Sequence, residues 1–494
     1  MATSLYPAGP PPRRHPWRKL LAGMALAAIG LAVLVGGYGT ARVFDFLHSV
    51  ANLNNPVDVI RNQVAPPPGS IAYKLQHGQQ VNILALGYGG SENDAPYLTD
   101  TIMAVSIDPA SKRVVEISIP RDTWVQINAY QSGIADQEKI NAAFEIPNMP
   151  KAFGTGPLYP QYQGKDGPGH LAEDTVTRLT GIRFDRYVAV DFKAFRDVVD
   201  TLGGITVHMD TPLDDCHYPD YHDGYLNHGV PPGYPCPPGS GIHFPAGTYT
   251  VNGEQALEIA RSRHASEPEQ ASDFARAKRQ QMILSAIKQK AMSIDALPKV
   301  PTLMNQLQGE FQTDLTLNDI TALYEFMRSV PNSSIGHFAI TNTNLLVDFG
   351  PGSSGSCGPS DQYVLCTQDP TYQMWHAIFS RIFVPTQVLD ERAPVELVNA
   401  TYSLTDLQDR TADVLRQLGF QVAGTARGQH SDRTVIYDES GGKYPQTVAW
   451  LQSFFGAEVA STAPSAAAPA VGAAPGSLVV VMGSDFGRHW LGIG

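Results

Sequence analysis

Apolar residues along this chain recur with two periods. Val81 to Leu86, Thr101 to Ile107 and Val114 to Ile119 are short apolar runs bounded by polar or turn residues, and Tyr187 to Val190 and Ile205 to Met209 continue the series. Runs of this length read as buried strands. Between the last two, Phe195, Val198, Val199 and Leu202 repeat at helical spacing within Phe192 to Leu202. Further helical stretches are predicted at Glu254–Ala260, Phe274–Met292 and Ile320–Val330. Strands alternating with helices predict an α/β layered domain with helices on both faces of a sheet.

The pattern changes near Pro385–Pro394. Beyond it, Val395–Val398, Thr434–Tyr437 and Leu478–Met482 read as strands, and Leu404–Leu418 and Thr447–Phe455 as helices. This predicts a second, small α/β unit over 393–494, interrupted by an Ala/Pro/Ser linker at 461–476. At the other end, Leu20 to Tyr38 carries no charge, and at about 1.5 Å per helical residue it nearly spans a hydrocarbon core. Arg13, Arg14, Arg18 and Lys19 precede it, which predicts a membrane anchor over 20–40 with residues 1–19 cytoplasmic and the remainder outside, a cleaved signal peptide being the alternative. Residues 41–75 read as a stem, with Pro66-Pro67-Pro68-Gly69 marking its end. The first domain is then expected over 76–385.

Composition adds limits. The formal net charge of −12 argues against a general nucleic-acid binder. The 494 residues exceed one ordinary core. Outside the cytoplasm, Cys216 with Cys236 and Cys357 with Cys366 read as two local disulfides that tie down loops. Acidic residues and histidines around the first pair leave zinc as the alternative, although no spacing matches a zinc pattern.

Charged residues cluster where loops leave the predicted strands, the usual place for sites in open α/β sheets. Asp100 opens the second strand, Arg121-Asp122 follows the third, and Lys139, Arg261 and Arg263 stand further on. On the helix from Asp273, steps of about 100° place Asp273, Arg276, Gln280, Ile283, Leu284 and Ile287 along one stripe, with Arg279 about 120° away. A stripe that is polar at its start and apolar beyond points Arg276 and Gln280 into the mouth of an apolar cavity. Inward arginines need an anion, and their forked donors suit phosphate. Asp100 could hold a divalent cation on the same phosphates. Solvated helix faces and a local Arg121–Asp122 ion pair are the plainer alternative.

Taken in order, Asn82–Gly87, Thr99–Met103, Ser118–Asp122, Lys139–Ala143, Asp191-Phe192, Val199–Gly204, Asn252–Leu257, Ala260–Arg263 and Asp273–Gln281 resemble the LytR-CpsA-Psr family of bacterial cell-wall enzymes. Residues 393–494 resemble the LytR C-terminal domain. The resemblance implies an α-β-α layered domain with a mixed central sheet and a hydrophobic lipid tunnel. It also implies a Mg²⁺-dependent phosphotransferase, with Mn²⁺ as a possible substitute. Such an enzyme moves a glycopolymer phosphate from a polyprenyl-diphosphate carrier to peptidoglycan at the membrane. Mapped by motif, Asp100 binds the metal, with Asp122 either part of that site or a partner of Arg121. Arg121, Arg261, Arg263, Arg276 and Arg279 clamp the pyrophosphate, supported by Lys139 and Gln280. Asp273 binds metal or orients an arginine. Leu98 stands where the family usually has arginine, and insertions follow Ala143 and occupy 211–245. A polyprenyl-diphosphate pyrophosphatase and a non-catalytic lipid- or wall-binding regulator are the competing readings.

Overall fold

The computed structural model describes residues 66–90, 95–133, 136–153, 156–218, 235, 237, 239–262, 264–271, 273–293, 311–402, 404–461 and 476–493. The expected anchor at Leu20–Tyr38, Arg263 and Cys236 lie outside these. Among the described residues no helix is long and apolar enough to cross a membrane.

The first domain is built on a six-stranded sheet. Its strands are β1 (Val81–Tyr88), β2 (Thr99–Asp108), β3 (Arg113–Ile119), β4 (Arg186–Asp191), β5 (Phe311–Thr313) and β6 (Ile335–Ala339), in the order β5-β4-β1-β2-β3-β6. The β4–β1 and β3–β6 pairs are parallel and the others antiparallel, so the sheet is mixed. Alternation along β1 sends Val81 and Ile83 into one core and Leu84 and Leu86 into another. Each core is roofed by helices, giving three layers. On one side lie α1 (Gly167–Thr180) and residues of the C-terminal unit. On the other lie α2 (Phe192–Thr201), α3 (Gly253–Arg261), α4 (Asp273–Ser293) and α5 (Leu317–Met327).

Local chemistry starts these helices where the site needs them. Asp191 ends β4 and caps α2, accepting from the Ala194 N–H at 2.7 Å. Asn252 and Gln255 form a capping box at the start of α3. Gly253 lets α3 meet α2, since a Cβ there would sit 2.2 Å from the Arg196 carbonyl oxygen.

One strand departs from expectation. Ile205–Met209 does not extend the central sheet but pairs only with Gly247–Val251. Thr206 and His208 face solvent there, an alternation that marks a ribbon with one wet face.

The C-terminal unit is a five-stranded sheet of β7 (Pro394–Asn399), β8 (Gln421–Arg427), β9 (Val435–Asp438), β10 (Glu458–Ala460) and β11 (Leu478–Met482), in the order β8-β7-β11-β9-β10. Sequence patterning anticipated three of the five. Helix α6 (Leu407–Gln417) packs this unit onto the first domain. Gln417 accepts from the Ala339 N–H and donates to its carbonyl oxygen, so α6 caps the open edge of β6. Arg410 of α6 is buried and donates to the carbonyl oxygens of Asn342, Asn344 and Leu346. One apolar cluster runs across both units, from Leu84 and Phe338 to Leu397 and Phe486.

Candidate active site

A pocket of about 370 Å³ opens at the ends of β1, β2 and β4 and runs between the sheet and helices α2 and α4. Its deeper wall is apolar: Ala85, Met103, Val105 and Val188 from the sheet, Phe195, Ile283 and Leu284 from the helices. Its mouth is charged. Asp100, Arg121, Arg261, Arg276 and Gln280 all line it. The helical stripe on α4 therefore runs as the sequence indicates, from Arg276 and Gln280 at the mouth to Ile283 and Leu284 inside.

The mouth is held by ion pairs. Arg121 Nη1 donates to Asp100 Oδ1, and Arg121 Nε lies 3.5 Å from Asp122 Oδ2. Arg261 Nη2 lies 3.8 Å from Asp100 Oδ2, and its guanidinium sits over the Phe192 ring, 4.1 Å from the centroid. Burial pulls the pKa of Arg121 down, but Asp100 and Asp122 outweigh it and leave the group above its ordinary value. Gln280 donates to Thr101 Oγ1 and to the Ala260 carbonyl oxygen, joining α4 to β2 and to the end of α3.

The structure sets Arg279 and Lys139 apart from the pocket lining and gives Asp122 the second of its two expected roles, that of a partner to Arg121. Arg279 does not reach the pocket. It is 3% exposed, and its guanidinium donates to the carbonyl oxygens of Ile259, Ser262 and Gln270 and to Gln270 Oε1. Burial first, and then Arg276, lowers its pKa to about 10. It points away from the stripe and ties the turn after α3 to α4. Asp122 is buried outside the pocket wall, between Arg121 and Lys139, whose Nζ donates to Asp122 Oδ1 at 2.8 Å. It is thus a partner of two cations. Lys139 does not line the pocket and neutralises Asp122. Asp273 opens α4, and its side chain lies outside the described groups. Among the described residues no group of three or more His, Cys, Asp or Glu side chains is placed to hold a metal. Asp100 is the carboxylate at the mouth that two arginines already address.

Leu98 does not line the pocket. It packs against the core on the opposite face of the sheet.

Asp215 and His217, read from the sequence only as acidic residues and histidines around Cys216, belong to the pocket instead. Asp215, 1% exposed, accepts from Ser262 Oγ and from the N–H groups of His217 and His264, and so pins both histidines on the pocket lining. Phe192 had a signal, the Asp191-Phe192 motif, but its role under Arg261 depends on how α2 and α3 pack. Cys357 and Cys366 are bonded as expected. Cys366 packs with Trp124 and Val364, and the adjacent Leu365 N–H donates to the Asp122 carbonyl oxygen at 2.9 Å. The disulfide loop thus braces the segment carrying Arg121. Cys216 is also disulfide-bonded.

The sequence profile of the LytR_cpsA_psr family matches residues 49–352. The chain belongs to this family. A second profile, described as LytR cell envelope-related transcriptional attenuator, matches residues 392–486. Among relatives of this LytR-CpsA-Psr protein is the polyisoprenyl-teichoic acid–peptidoglycan teichoic acid transferase TagV of Bacillus subtilis. It is 28% identical over 256 residues, which cover 52% of this chain and 54% of TagV. The correspondingly named TagU of Bacillus licheniformis is 24% identical over 63% of this chain and 83% of its own. The chain therefore spans about half the length of the first of these relatives. The crystal structure of B. subtilis TagV aligns with 62% of this chain and 97% of its own at 24% identity, with a TM-score of 0.42.

Proposed function

We propose that this LytR-CpsA-Psr protein is a phosphotransferase that moves a glycopolymer phosphate from a polyprenyl-diphosphate carrier to a hydroxyl of peptidoglycan. The observation that carries the reading is the junction of an arginine-rich mouth with an apolar chamber. A ligand fitting both has a diphosphate head and a hydrocarbon tail. The names of the relatives support the same donor and acceptor classes.

Arg121, Arg261 and Arg276 would hold the diphosphate oxygens, and Arg261 stays oriented by Phe192 and Asp100. Phosphoryl transfer rests on positioning and charge neutralisation, so no covalent nucleophile is required. Asp100 would hold a Mg²⁺ ion, a cation suited to carboxylate oxygen donors. Such an ion, when bound, would offset charge on the diphosphate. The anchor expected at Leu20–Tyr38 would keep the site beside the membrane that holds its donor.

The test is incubation of the purified chain with a polyprenyl-diphosphate-linked glycan and peptidoglycan strands, with and without Mg²⁺. Glycan phosphate attached to peptidoglycan only with metal is the expected result. Arg261→Ala and Asp100→Ala should each lower that transfer by about a hundredfold or more with unchanged thermal melting. Full transfer by either variant would refute the assignment of the mouth.

A further inference from the structure

Glu116 is a carboxylate in the apolar part of the chamber, and nothing in the proposed transfer uses it. It is 5% exposed and lines the pocket from β3, five residues before Arg121. Its level along the sheet is that of Val105, five residues beyond Asp100 on β2, which at 3.3 Å per residue is roughly 16 Å from that carboxylate. Its register neighbour on β2 is Val105, and on β6 it is His337. His337 Nδ1 lies 3.0 Å from Glu116 Oε2. His337 itself is about one-third exposed, on the edge strand of the sheet. The pair therefore stands between the chamber and solvent at the β6 side. Below the level of Asp100 and Thr101, Glu116 is the one polar side chain among the described sheet residues of the wall.

A hydrocarbon chain advancing from the mouth meets Ala85 and Met103, and then the level at which Val105, Glu116 and His337 stand side by side. Covering a carboxylate with hydrocarbon removes its remaining solvation and returns nothing. Separating it from His337 leaves a buried charge without its partner, which is costlier still. We infer that the Glu116–His337 pair is the end stop of the chamber and sets the length of prenyl chain that binds along the sheet. This rests on the reading of the chamber as a lipid-tail site. It adds a selection rule: isoprene units beyond the stop contribute no contact.

The test is calorimetric titration of the full chain with inorganic pyrophosphate and with geranyl, farnesyl, geranylgeranyl and undecaprenyl diphosphates. The parent protein should bind more tightly with each added isoprene and then level off. The Glu116→Leu/His337→Leu pair should move that plateau to the next longer chain, with about a tenfold gain for the first length beyond the parent's limit. Glu116→Met alone should shift it the same way, which keeps the test open if the double variant melts early. Glu116→Gln keeps a polar end and should retain the parent's plateau. An unchanged plateau in both apolar variants would overturn the end stop while leaving the lipid site standing. A parent protein that binds prenyl diphosphates no better than pyrophosphate would refute the lipid reading itself.

Discussion

Arg276 and Arg279 stand three residues apart on one helix and do unlike work. Arg276 lines the pocket, whereas Arg279 gives its donors to three carbonyl oxygens and one side-chain amide. Replacing Arg276 with alanine should cut transfer with little change in melting. Replacing Arg279 should destabilise the fold by roughly 3 kcal/mol, because buried carbonyl groups lose their donors. Thermal melts beside transfer assays separate the two, and equal melting temperatures would contradict this division. Glu173 gives a pH signature of a different origin. Burial, with Asp314 and Asp174 nearby, raises its pKa to about 8. A carboxyl that holds its proton more tightly when folded favours the fold fully below about pH 4.3, and that contribution fades as pH rises through 8. Urea melts should therefore show stability falling over this window, and Glu173→Gln should flatten the fall. A slope unaltered by the substitution would place the titration elsewhere.

The site's elements differ in how far sequence announces them. The stripe on α4 is legible because a helix repeats at fixed angle, so Arg276, Gln280 and Ile283 can be aligned without knowing their neighbours. The inner strands β1 to β4 are legible because both faces are buried. The edge strands β5 and β6 are short and half wet, and β8 alternates weakly, so none stands out from loop. Arg279 is assigned by motif and Lys139 by its place in the loop cluster, and only packing shows that their charges are spent on the protein itself. Asp215 is visible only as an acidic residue beside Cys216 and Glu116 not at all, since their roles arise from segments distant in sequence. The hairpin closed by Cys357–Cys366 carries its own prediction. Changing both cysteines to serine should cost roughly 2–3 kcal/mol, the loop-closure value for a separation of nine residues. Because Leu365 braces the Asp122 segment, transfer should decline below the melting point as well. Activity that persists until global unfolding would show that the brace is dispensable.

Across the whole molecule, the two regions matched by separate family profiles share one apolar cluster. Arg410 and Gln417 add polar ties at that junction, and Trp490 Nε1 donates to Gln368 Oε1 at 2.9 Å. The expected outcome in calorimetry is one cooperative transition for both regions. Arg410→Ala should lower it by roughly 3 kcal/mol and divide it in two, since three carbonyl oxygens lose a common donor. Two independent transitions in the parent protein would show that the junction is weak.

The cap that α6 places on β6 also bears on how such proteins can be recombined. Sequence similarity marks a seam near residue 390, the natural place to exchange one module for another. The energetic seam lies elsewhere, since the strip 339–346 leaves β6 of the first domain and is held by Arg410 and Gln417 of the C-terminal module. A hybrid joined at 390 would pair each half with a foreign surface and leave a sheet edge bare. One that carries residues 339–346 together with their matching helix keeps the lock and its key on the same piece.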